Sequence, residues 1–105
     1  MSRRASDRYP RLRRLFAAYV NQDWDTMGPR PEDAVRRYAG EVSAADRAAA
    51  AREVTRLLAA ARSEAALARA LDDLRCGYAP EADGRTAREF LAAVRDALGT
   101  APGAD

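Results

Sequence analysis

Apolar residues in this chain return every three or four positions, not every two. Tyr9, Leu12, Phe16 and Tyr19 follow i, i+3, i+7 and i+10, with Leu15 and Val20 widening the stripe. That spacing predicts an amphipathic helix from Tyr9 to near Gln22, and Pro10 suits its first turn. Residues 23–30 carry Trp24, Gly28 and Pro29, which interrupt a helix and predict a loop with one aromatic anchor. Pro31, Glu32 and Asp33 mark a helix start, because the missing N–H costs nothing there and the dipole favours carboxylates. This second helix is short and ends near Ala39. Ser43 caps a third, with Asp46 three residues on and an inward stripe of Val54, Leu57, Leu58 and Ala61. Ser63 caps a fourth, whose stripe is Leu67, Ala70, Leu71 and Leu74 and which ends before Gly77 as a C-terminal glycine. Asp83-Gly84 predicts a turn, and Thr86 with Glu89 a capping box. Phe90, Leu91, Val94 and Leu98 then form the last stripe, closed by Gly99. With no sustained period-2 alternation and few β-branched residues, the fold class is all-α: a compact bundle of about five helices. One domain over residues 9–99 is expected, between a flexible Arg-rich tail at 1–8 and a flexible tail at 100–105.

Composition qualifies this picture without changing it. The chain has 105 residues and 11.4 kDa, one domain by length. Size scaling lets such a chain bury about 65% of its unfolded surface. Of its 50 hydrophobic residues 26 are alanine and only 16 are Leu, Val or Phe, so the core must be thin and the aromatics must help fill it. No apolar run approaches the roughly 20 residues of a membrane span, and no apolar segment follows the Arg-rich start as a signal peptide requires. A cytoplasmic location is therefore expected. One cysteine, Cys76, excludes an internal disulfide, and the absence of histidine removes the commonest metal ligand and the usual general base.

The remaining candidates for chemistry are few. Asp23-Trp24-Asp25 puts two carboxylates beside a large aromatic, but the spacing of an EF-hand is missing, so no metal site is expected. Trp24 is expected to dock on the bundle while the aspartates face water. Cys76 has no histidine to activate it and reads as a small buried residue near a helix end. No P-loop, dinucleotide-binding glycine pattern or nucleophile elbow occurs. The expectation is no catalytic residue, no cofactor and no small-molecule substrate. All 18 basic residues are arginine, and residues 1–14 carry a net charge of +5 against −3 for the remainder. Arg3, Arg4, Arg8, Arg11, Arg13 and Arg14 have the composition of a phosphate-binding arm, although a solvated tail and helix face is the simpler reading.

Several stretches together resemble a known family. They are Tyr9-Pro10, Leu12-Arg13, Leu15-Phe16, Tyr19, Gln22-Asp23-Trp24-Asp25 and Pro31-Glu32-Asp33-Ala34-Val35. Leu74, Cys76, Tyr78 and Pro80 follow, then Asp83-Gly84 and Arg88-Glu89-Phe90-Leu91. The order is similar to that of the small helical immunity proteins of bacterial contact-dependent growth inhibition systems. The resemblance implies a non-enzymatic protein that binds the C-terminal toxin domain of a cognate effector and spares the cell making both. If so, the acids clustered at 23–33 and 81–83 are the expected partner contacts: Asp23, Asp25, Glu32, Asp33, Glu81 and Asp83. Neither nucleic acid nor membrane is expected as a partner. The alternatives are a small helical nucleic-acid-binding regulator that uses the Arg-rich start, and a helical adaptor subunit.

Overall fold

In the computed structural model, which describes residues 4–99, the stripes become helices. Among these residues there are six: α1 (Ala5–Arg8), α2 (Pro10–Ala18), α3 (Pro31–Glu41), α4 (Ala44–Ala60), α5 (Glu64–Asp73) and α6 (Ala87–Gly99). Two 3₁₀ turns, Trp24–Met27 and Pro80–Asp83, fill the longer connections. The single turn α1 falls within 1–8, where no apolar periodicity announced it; residues 1–3 and 100–105 lie outside the described residues. Local caps form where the sequence places them. Ser43 Oγ accepts from the Asp46 N–H at 3.1 Å and Ser63 Oγ from Ala66 at 3.0 Å. Thr86 and Glu89 exchange both bonds of their box, at 2.8 and 3.0 Å.

Two helix ends differ from expectation. The first stops at Ala18, not near Gln22, because Asn21 turns its amide back onto the carbonyls of Ala17 and Ala18. The Val20 carbonyl, which a longer helix would use, instead accepts from the Gly77 N–H at 2.6 Å. At the end of α5 the left-handed residue is Arg75, with φ of 65°, not Gly77. Arg75 N–H bonds to the Asp72 carbonyl and Cys76 N–H to that of Leu71, the paired bonds of a Schellman motif. Gly77 has another duty. A Cβ there would lie 2.2 Å from the Asn21 carbonyl carbon, so only glycine lets the two backbones touch.

The core runs through the bundle from Leu12, Leu15 and Phe16 to Val54, Leu57, Leu67 and Leu71, closed by Phe90, Leu91 and Val94. α6 supplies the central face and packs mainly on α4 and α3. Aromatics thicken the interior as the scarcity of aliphatics requires: Phe90 lies 6.2 Å from Phe16 and 4.8 Å from Tyr78, centroid to centroid. Two glutamates are buried with it. Glu53 of α4, 3% exposed, accepts the N–H groups of Arg11 and Leu12 at 3.0 and 3.1 Å and so caps α2 from outside. Glu32 of α3 is the other, 6% exposed.

Candidate functional site

The two acid-bearing loops, about 50 residues apart in sequence, meet on one side of the bundle. Trp24 packs edge-on against Tyr78, ring centroids 5.5 Å apart. Beside them the Val20–Gly77 backbone bond fixes the end of the first loop to the start of the second. Arg85, just after the Pro80–Asp83 turn, reaches back to α3 and donates to Glu32 Oε1 at 3.1 Å. Its guanidinium lies 5.8 Å from the centre of the Tyr78 ring and 5.6 Å from that of Phe90. The same nitrogen donates to the Tyr78 hydroxyl at 3.3 Å, and that hydroxyl donates to Asp83 at 2.7 Å. From the other side Arg30 donates to Glu32 Oε2 at 3.1 Å.

This network decides which protonation states persist. Burial by itself would raise the Glu32 carboxyl, but the hydrogen bonds from Arg85 and Arg30 outweigh it and hold the group below its ordinary value. Burial also works against charge on Arg85, and Glu32 and Tyr78 more than compensate, so the guanidinium stays cationic. The Tyr78 hydroxyl is held above its usual range by burial and then by its bond to Asp83. Burial pushes the Cys76 thiol up to about 12, which removes it as a nucleophile near neutral pH. No group of three or more metal-ligating side chains comes together among the described residues. What the arrangement offers is a braced surface with carboxylates on it, suited to binding.

The six acids do not have one fate. Asp23, Asp25 and Glu81 are exposed and make no ion pair among the described residues. Asp83 is exposed while accepting from Tyr78. Asp33 is half-buried: it accepts the Arg30 N–H at 3.0 Å, pairs with Arg36 at 3.1 Å, and crowds Gly28, where a Cβ would lie 2.5 Å from its oxygen. Glu32 is the buried one of the six, its carboxylate pointing inward and accepting from Arg85 and Arg30. Trp24 docks as expected, half-buried on the core. The sequence reading missed Arg85, because nothing local marks one arginine among 18 as the keystone. It also missed Glu64, which accepts the Ala87 and Arg88 N–H groups at the start of α6. The signal was present in part: helix starts at Pro10 and Ala87 need acceptors that their own caps do not fully supply.

The Arg-rich start divides in the structure. Arg8 and, from α4, Arg56 lie over the Tyr9 ring at 5.5 and 5.8 Å. Arg11 pairs with Asp46 at 3.5 Å and lies 3.8 Å from Glu53. At least Arg8 and Arg11 thus have contacts within the bundle.

Residues 8–98 match the family model described as CdiI immunity protein. The fold is similar to that of a chain in the crystal structure of a CdiA-CT/CdiI complex from Y. kristensenii 33638. The TM-score is 0.77 at 24% identity, over 87% of this chain and 98% of that one. At that identity the likeness shows the fold. No curated protein matches the sequence.

Proposed function

The chain belongs to the CdiI immunity protein family, and from that premise we propose that it binds and neutralises the C-terminal toxin domain of a cognate CdiA-type effector in the cytoplasm of the cell that makes both. The observation that carries this is the family match, which spans nearly all of the described residues. The similar fold of a chain solved in a CdiA-CT/CdiI complex supports it. Inhibition is by stoichiometric binding, not by catalysis. A sequence without histidine and a cysteine whose thiol is pushed up to about 12 support that choice. No described helix is long and apolar enough to cross a membrane.

We place the toxin on the face where the two loops meet. Asp23, Asp25 and Glu81 are its free charges, Asp83 and Asp33 its partly engaged ones, and Glu32 acts beneath it by holding Arg85. A standard interface takes about 800 Å² from each partner. Against 6167 Å² of accessible surface that is about one eighth, within the reach of one face. Free carboxylates would speed encounter with a basic toxin surface and select among partners more than they would hold the complex. Co-expression with the cognate CdiA C-terminal domain tests the function. Survival of the cells and a one-to-one complex on co-purification are expected; death despite abundant folded protein would remove the immunity reading.

A further inference from the structure

The free carboxylates above steer, but a tight complex needs at least one desolvated anchor near its centre. The face holds a receptacle for one. Between α5 and residues 76–81 lies a half-enclosed cavity of about 200 Å³. Its apolar lining includes Leu71, Tyr78 and Pro80, all buried, and the exposed Ala68 of α5 also borders it. Asp72 and Glu81 line it as well, and neither carboxylate pairs with a cation among the described residues. Glu64, a third lining acid, is engaged by the first N–H groups of α6.

Size and charge narrow the occupant. Small-molecule and cofactor sites run from roughly 300 Å³ upward, so this space is short of one and is of side-chain size. An apolar lining with two unpaired carboxylates matches a side chain that has a methylene stem and a positive end. We propose that this cavity seats one lysine or arginine side chain of the partner toxin, as the buried anchor of the complex. The inference rests on the immunity reading and gives it a location. Tyr78 joins the cavity to the loop face, since one ring lines the cavity and takes the edge contact with Trp24.

The test is a binding titration of the intact chain against the purified toxin domain, with association and dissociation rates resolved. Ala68→Trp fills the cavity from an exposed helix position, and its circular dichroism and melting are checked against the parent. Affinity should fall roughly 30-fold or more, the size of a hot-spot loss, and mainly through faster dissociation. Asp72→Arg with Glu81→Arg should cost at least as much. A single Lys→Ala or Arg→Ala substitution in the toxin should reproduce the loss and add little to Ala68→Trp, because both remove the same contact. Binding by Ala68→Trp within about twofold of the parent overturns the proposal. So does a charge reversal that only slows association while the filled variant is unaffected, since the acids would then only steer. No complex with the unmodified chain overturns the immunity reading itself and this inference with it.

Discussion

Glu53 and Glu32 are buried to nearly the same degree, 3% and 6% exposed, and are satisfied in opposite ways. Glu53 on α4 is held chiefly by two backbone amides at the start of α2, where the helix dipole adds to the hydrogen bonds, with the Arg11 guanidinium a longer 3.8 Å away. Those two donors belong to the main chain and carry no titratable proton, and among substitutions only proline removes them. Glu32 on α3 is held by the Arg30 and Arg85 guanidiniums, whose long side chains run in from the loops. The difference teaches where rigidity is placed. One carboxylate joins two helices of the core permanently, while the other fixes the loops of the candidate binding face through side chains. A buried charge deprived of its partner is expensive, so both are points at which the molecule breaks.

The comparison breaks most visibly at Arg85. Arg85→Met leaves Glu32 with Arg30 alone and should destabilise by about 3 kcal/mol, measured by urea unfolding. Adding Glu32→Leu should restore much of that loss, because a pair replaced by apolar groups leaves no orphaned charge. No recovery in the double variant would mean that Arg85 works through its ring contacts and not through Glu32.

Glu53→Ala should cost about 2 kcal/mol, since it leaves the Arg11 and Leu12 N–H groups, the second of them buried, without their acceptor. A melting temperature unchanged from the parent would remove Glu53 as the joint between α2 and α4. Acid sharpens the contrast further. The Glu32 carboxyl is held below its ordinary value of 4.5, so its contribution is complete above that value and is lost as pH falls through the folded value. Unfolding midpoints followed downward from pH 6 should therefore decline more steeply for the parent than for Glu32→Gln, and parallel curves would refute this. The smallest effect on stability is expected at the free acids. Asp23→Arg with Asp25→Arg should stay within about 0.5 kcal/mol of the parent. Association with the toxin domain should nevertheless slow by about tenfold at low salt. An unchanged rate would remove these two aspartates from the docking face.

How much was legible in the sequence follows from how far each interaction reaches along the chain. Ser43, Ser63 and the Thr86–Glu89 pair act on N–H groups three residues away, so their caps can be read directly. The stripes through Leu67, Leu71 and Leu74, or Phe90, Val94 and Leu98, obey the period of one helix and name their buried faces. The order of motifs from Tyr9-Pro10 to Arg88-Glu89-Phe90-Leu91 pointed to the family that the match over residues 8–98 establishes. The acids of the candidate site were legible as residues but not as an arrangement. Glu32 looked like its neighbour Asp33, a first-turn acid on the surface, but it turns inward to Arg30 and to Arg85, which lies 53 positions on.

Helix periodicity, capping chemistry and composition, all local properties, thus determined by themselves that this chain is an all-α domain and where most helices begin. The tertiary structure alone decided that Val20 ends against Gly77, that Trp24 meets Tyr78, and that α5 closes on Arg75 instead of a glycine. It also decided which carboxylates remain free. Those outcomes depend on which distant groups arrive at the same place, and no local pattern carries that information. An unpaired donor or a buried charge takes whatever partner the packing of the helices brings within reach.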